Sequence, residues 1–174
     1  MPGMIHLYHG DGKGKTTAAI GLCVRAWGAG KRVVFLQFMK GNETSELKAF
    51  EKLPGLRILR NETDYGFYKN MTGEEKRAVK EMHDRNLEQA FFMVRDGECD
   101  TLILDEVTYA YAWELLDRKR LVELLEFGKK ETEMVLTGRR PDKVFIELAD
   151  YITNMQCERH PFERGIRARK GVEY

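Results

Sequence analysis

The sequence contains no run of about twenty apolar residues, which excludes a transmembrane helix. Its opening, MPGMIHLYHG, enters a strand-like segment at once, with no charged and apolar leader ahead of it. Both absences point to the cytoplasm. Cysteine is scarce: Cys23, Cys99 and Cys157 are scattered without short pairing and, being three, cannot all form disulfides with one another. A disulfide scaffold is thereby excluded, and plain thiols in a reducing compartment are expected. Charge of one sign is also lacking. With 29 basic and 28 acidic residues, a net charge of +1, there is no general electrostatic pull toward nucleic acid or a membrane surface. Any polyanion must be held locally. No internal repeat, low-complexity tract or Pro/Ser-rich linker marks a boundary, so the 174 residues are expected to form one domain, 1–174, with one main site.

What is present is an alternation of apolar runs and helical patterns, the pattern of a mostly parallel sheet with helices on both faces. Strands are expected at Met4–Tyr8, Arg32–Phe38, Leu56–Arg60, Thr101–Leu104, Glu133–Thr137 and Tyr151–Met155, several of them apolar almost throughout, as strands covered on both faces should be. A first helix follows the glycine-rich stretch after the first strand. A second starts at Thr72, where Thr-Gly-Glu-Glu forms a capping box with Glu75. His83 lies beside its apolar stripe and reads as a surface or half-buried residue. Asp117 can cap a third helix and Pro141 can open a fourth. The segment Asn61 to Met71 has no clear form.

The stretch HGDGKGKTT, His9 to Thr17, carries the strongest chemical signal. A strand leads in and a helix leads out, so backbone N–H groups and the positive helix end converge on one anion. Gly10, Gly12 and Gly14 let backbone approach phosphate oxygens. Lys13 and Lys15 supply charge, Asp11 and Thr17 flank them, and Thr16 has the hydroxyl position that holds Mg²⁺. The spacing departs from the usual Gly-x₄-Gly-Lys-Ser/Thr: either the loop is one residue short, or His9 stands where a glycine is expected. A second anchor is TLILDE, which brings Asp105 and Glu106 to a strand's carboxyl end, where one carboxylate can take Mg²⁺ or its water shell. At MVLTGRRP, Arg139 reaches the same edge as a phosphate or ribose contact. LQFMKG brings Phe38, Met39 and Lys40 out of the second strand; Phe38 and Met39 face a ligand or only fill the core. Tyr65, Phe67 and Tyr68 cluster around Gly66, where they either pin the loop or grip a flat ligand. The basic run with Arg159, Arg164, Arg167, Arg169 and Lys170 is a solvated tail or the lining of an anionic site.

Four stretches, GDGKGKTTAA, LQFMKG, LDEVTYA, and the run from TGRRP through LADYIT to HPFERGIRARKGVEY, together resemble the P-loop type of ATP:corrinoid adenosyltransferase. The likeness covers nearly the whole chain, and the short glycine loop belongs to that pattern. It implies a RecA-like P-loop NTPase fold, a homodimer, and transfer of the 5′-deoxyadenosyl group of ATP to the cobalt(I) of a reduced corrinoid such as cob(I)alamin. The resemblance also implies release of triphosphate, a place in adenosylcobalamin biosynthesis or salvage, and an electron-donating reductase that keeps cobalt reduced. By position it implies that Gly10 to Thr17 with Arg25 and Arg139 bind ATP, that Thr16, Asp105 and Glu106 bind Mg²⁺, and that Lys15, Glu106 and Phe67 act in catalysis. Phe67, Tyr68, Phe38 and Met39 would border the corrinoid, with Phe67 beside its lower face. The family's second aromatic falls at Lys69, with Tyr68 between. Relatives can carry an N-terminal extension over the corrinoid; here the pocket is either more open or covered by another segment, such as the basic C-terminal run. The competing readings are a small-molecule kinase, with Arg139 and Arg140 as its lid arginines, and a RecA-like nucleic-acid-binding ATPase.

Overall fold

The structure, a computed structural model, describes residues 2–173; Tyr174, the end of the quoted C-terminal run, and Met1 lie outside them. Six strands, β1 (Ile5–His9), β2 (Val33–Gln37), β3 (Arg57–Arg60), β4 (Thr101–Asp105), β5 (Glu133–Thr137) and β6 (Tyr151–Asn154), form one sheet in the order β3-β2-β4-β5-β1-β6. Every pairing is parallel. The expected strands are all present, with ends shifted by a residue or so. The helices are α1 (Lys15–Gly28), α2 (Ser45–Phe50), α3 (Gly73–Arg95), α4 (Val107–Ala112), α5 (Arg118–Gly128) and α6 (Lys143–Leu148). Among the described residues, no helix is long and apolar enough to cross a membrane.

Period-two alternation of side chains along the strands sorts the core into two layers. Val34, Leu36, Leu102, Leu104, Met134 and Leu136 face α3 to α6, against Leu87, Ala90, Leu121, Leu124 and Phe145. Val33, Phe35, Ile103 and Val135 face α1 and α2, against Ala19, Cys23 and Phe50. With both faces covered, β2 and β4 are buried at every position, which is why they are continuous apolar runs. The architecture is thus the expected α/β sheet of P-loop type.

Helix starts follow local chemistry. Thr72 and Glu75 form the capping box of α3, with Thr72 Oγ1 accepting from Glu75 N at 3.2 Å and Glu75 Oε2 from Thr72 N at 2.7 Å. Asp117 caps α5 by accepting from Arg120 N at 3.0 Å. Pro141 does not open α6; Asp142 caps it, accepting from Val144 N at 3.1 Å. The formless segment is open chain with a single 3₁₀ turn, Tyr68–Asn70.

Candidate functional site

Strands β1, β4 and β5 deliver the site at their carboxyl ends, where helix N-termini and loops converge. Gly14, at φ 112°, caps α1, so the helix's unpaired N–H groups open onto the loop 10–14. The segment after β6 holds this loop from outside. Met155 N donates to His9 O at 2.7 Å and Gly12 N donates to Met155 O at 2.7 Å. A Cβ on Gly12 would stand 2.6 Å from Gln156 O, and one on Gly10, at φ 108°, would collide with Asn154 Oδ1 and Met155 O. Glycine at these two positions therefore serves the clamp as well as the approach of a ligand.

Lys15, 7% exposed, donates from Nζ to Gly12 O at 2.6 Å, curling its ammonium into its own loop. Burial, and after it the Arg139 guanidinium, lower its pKa, while Glu106, Asp11 and Asp105 pull the other way. Asp105 is wholly buried and is the hub of the site. Its Oδ1 accepts from Thr16 Oγ1 at 2.9 Å and Thr137 Oγ1 at 2.7 Å; its Oδ2 accepts from Gln37 Nε2 at 3.3 Å and Lys40 Nζ at 3.2 Å. Glu106 caps α4 in a left-handed conformation, φ 61°, and its N–H donates to Thr137 Oγ1 at 2.8 Å. Burial and then the neighbouring Asp105 raise its carboxyl pKa, while Lys40, Lys15 and Arg139 lower it. A non-glycine residue held at positive φ costs on the order of 1 kcal/mol, and here it turns the carboxylate toward the glycine loop.

A cavity of about 260 Å³ joins these groups: its walls include Asp11 to Thr17, Lys40, Glu106 and Arg139, together with His160, Val172 and Glu173 from the C-terminal segment. Arg139 Nη1 stands 3.8 Å from Asp11 Oδ1. Glu173 is held as an anion, its carboxyl lowered to about 2 chiefly by the Arg169 hydrogen bond, with Lys13 a lesser contributor. Among the described residues no three His, Cys, Asp or Glu side chains converge as an all-protein metal cage. The oxygen donors Thr16, Asp105 and Glu106 nonetheless fit Mg²⁺, which in nucleotide sites takes one or two carboxylates and completes its shell with phosphate and water.

A second cavity, about 330 Å³, lies beside the first and shares Lys40 with it; Met39, Asn42, Thr44, Asp64, Gly66 and Phe67 are among its walls. Phe67 is 83% exposed. Tyr68 is not comparably free: it stacks on Trp113 at 4.5 Å and 8°, with the Lys76 ammonium 4.3 Å over its ring. Tyr68 pins the loop while Phe67 stands out from it.

Three sequence expectations are corrected. Phe38 is fully buried among Val34, Leu36 and the α3 side of the core, edge-on to His83 at 5.0 Å, because it continues the inward parity of β2. Arg25 is not brought to the glycine loop. Ten residues of α1 put it about 15 Å along the helix from Lys15, where it lines a cavity with Pro2, Gly3 and Lys31 at the opposite end of the sheet. His83 is wholly buried: Nδ1 donates to Leu115 O at 2.7 Å, and Nε2 accepts from Met39 N at 3.2 Å and lies 3.1 Å from Asn61 Nδ2. It thereby fixes the turn at Met39, φ 61°, that sends Lys40 to Asp105. LQFMKG reads as a candidate strand end and the basic C-terminal run as a candidate lining, but the sequence gives Lys40 no role, and Val172 and Glu173 lie just beyond the basic residues named. The one available signal for Lys40 was its position just beyond a strand's carboxyl end.

Burial lowers the His83 pKa from 6.5 to about 4. The folded protein thus resists protonation, and stability present above pH 6.5 is lost as pH falls toward 4, by about 3 kcal/mol. Denaturant titrations at pH 7 and pH 4.5 should differ by that order, and His83→Gln should flatten the difference. A pH-independent midpoint in the unmodified protein would contradict this role.

A family model described as ATP:corrinoid adenosyltransferase BtuR/CobO/CobP matches residues 1–174. The chain is 30% identical over 172 residues to a corrinoid adenosyltransferase of Escherichia coli K12, covering 99% of this chain and 86% of that protein. It is 34% identical over 174 residues to one from Sinorhizobium sp, covering 99% and 80%. With the corrinoid adenosyltransferase CobA of Salmonella typhimurium it shares 28% identity over 172 residues, covering 99% and 86%.

Proposed function

Since the chain belongs to the ATP:corrinoid adenosyltransferase family, we propose that its two adjoining cavities divide the reaction between them. The glycine loop receives the triphosphate of ATP, and the Phe67 cavity receives the reduced corrinoid. The observation that supports this division is Lys40, a wall common to both, so that a nucleotide in the glycine loop would lie beside the second pocket. A kinase or a nucleic-acid-binding ATPase is not favoured, because the family match spans residues 1–174.

Transfer joins the 5′ carbon of ATP to cobalt(I) and breaks its bond to the α-phosphate oxygen, so the phosphates depart as one group. Lys13, Lys15, Arg139 and the N-terminal N–H groups of α1 meet the charge that grows on that group. Thr16, Asp105 and Glu106 would hold Mg²⁺, which when bound neutralises triphosphate charge. Phe67 offers an exposed apolar face to the corrinoid's lower side, where it displaces water. The C-terminal segment, with Glu173 and Val172 at the cavity wall, is a cover over the phosphates.

Incubation with ATP, Mg²⁺ and chemically reduced corrinoid should yield a cobalt–carbon bond and triphosphate in equal amounts; ADP and orthophosphate without that bond would sink the reading. Phe67→Ala should lower kcat/KM for the corrinoid about tenfold with KM for ATP unchanged. Because the side chain is exposed, stability should shift by less than about 0.5 kcal/mol. A loss confined to ATP kinetics would remove Phe67 from the corrinoid site.

We further propose that the chain acts as a single cytoplasmic domain in a homodimer, supplied with cobalt(I) by an electron-donating reductase. Scattered thiols support the reducing compartment. An edge strand, β6, whose four residues are all exposed, Tyr151 and Ile152 among them, supports pairing with a second copy. Light scattering at micromolar concentration tests the stoichiometry; a monomer across that range would count against it.

A further inference from the structure

Lys40 occupies the position where the site's electrostatics call for a cation. Its ammonium sits 3.2 Å from Asp105 Oδ2, with Asp105 wholly buried and the Lys40 side chain 31% exposed. The other oxygen of the same carboxylate accepts the Thr16 hydroxyl at 2.9 Å, the hydroxyl assigned to the metal. Gln37 donates to Asp105 but leaves its own buried Oε1 with no partner. That is a free buried acceptor on a side chain that touches the same carboxylate oxygen as Lys40, suited to the hydration shell of a divalent ion.

The backbone of Lys40 is fixed while its side chain is not enclosed. The preceding N–H, that of Met39, is held by His83. Arg60 Nη2 donates to Lys40 O at 3.4 Å and to Asn42 O at 2.5 Å. The flexible stem borders both cavities, so the ammonium can leave Asp105 without any backbone movement and arrive in the Phe67 cavity.

We infer that Lys40 is the resident counter-cation of the metal site: it neutralises Asp105 in the nucleotide-free protein and is displaced by the metal that arrives with ATP into the Phe67 cavity. The exchange orders the two substrates. A buried carboxylate left without a cation is strongly disfavoured, so Asp105 keeps one throughout, and only the nucleotide-loaded protein presents an ammonium to the second pocket. The inference rests on the assignment of Thr16, Asp105 and Glu106 to the metal, and its test separates the two.

The probe is Mn²⁺ added to nucleotide-free protein and read by loss of the free-ion electron paramagnetic resonance signal. Lys40→Met should bind Mn²⁺ at least about tenfold more tightly than the unmodified protein. Lys40→Arg, which keeps the cation, should match the unmodified protein, and Asp105→Asn should bind more weakly than any of them. If Lys40→Met shows unmodified affinity while Asp105→Asn loses binding, the Lys40 inference fails and the metal assignment stands. If all four proteins bind alike, the metal assignment fails and this inference with it. In ¹³C-methylated protein the Lys40 resonance should move with Mg²⁺ and ATP together and not with ATP alone; a resonance unmoved by both together overturns the displacement.

Discussion

Lys15→Ala is expected to lower kcat/KM by about a thousandfold, the effect of removing one preorganised charge from a leaving group, while the melting temperature changes by less than about 3 °C. The two halves have different causes. Activity falls because Lys15 is the buried ammonium at the start of α1, aimed into the cradle from the same place as the helix's unpaired N–H groups. Stability holds because its one hydrogen bond is to Gly12 O, a backbone acceptor that water can reach once the side chain is cut back. Its lowered pKa, caused first by burial and then by Arg139, shows that the charge is held in an unfavourable setting while the phosphates are absent. Rates with saturating reduced corrinoid and varied ATP, beside a thermal melt, test both halves. A variant within tenfold of the unmodified rate would remove Lys15 from the phosphate site.

Asp105→Ala should abolish activity to a similar degree and, unlike Lys15→Ala, should also destabilise the fold by about 3 kcal/mol. Four donors, from Thr16, Gln37, Lys40 and Thr137, converge on this one carboxylate. The hydroxyls can rotate to other acceptors and Lys40 can swing toward solvent. Gln37, with no exposure, cannot, and its amide would be left unpaired between β2 and β4. The expected fall in melting temperature is about 8 °C. If Asp105→Ala melted with the unmodified protein, the hub would be a bystander to stability. Asp105→Asn, which keeps the shape, should recover much of the stability and little of the activity.

The strands could be read from sequence because double-sided burial writes itself as unbroken apolar runs, as in VVFLQ and TLILD. The starts of α3 and α5 could be read because their caps are local side-chain chemistry. The short helices α2 and α4 could not: neither Thr44 nor Glu106 makes a side-chain cap bond, and six residues carry too little periodicity. Among site residues, the glycine loop and the carboxylates at 105–106 were legible because each sits where a strand ends. Lys40 could be placed at a strand end but owes its role to a partner 65 positions away, which has no local signature. The C-terminal run could be read as a lining from its charge, although the residues that reach the wall are His160, Val172 and Glu173. Arg25 and Phe38 failed for geometric reasons, helix rise in one and strand parity in the other. The pairing of Tyr68 with Trp113 could not be inferred from a cluster of aromatics alone, although it decides which of two adjacent rings is free.

The clamp on the glycine loop bears on folding as well as on binding. Residues 154–156 brace residues 9–12, and β6 pairs in register with β1 from His6↔Tyr151 to His9↔Asn154, so the strand that leads into the glycine loop is completed by β6. The glycine loop therefore cannot take its final shape from β1 and α1 alone; it waits for a pairing between strands far apart in sequence. Loss of β6 alone would leave the phosphate-binding motif intact in sequence and the loop without the bracing that makes it a receptor.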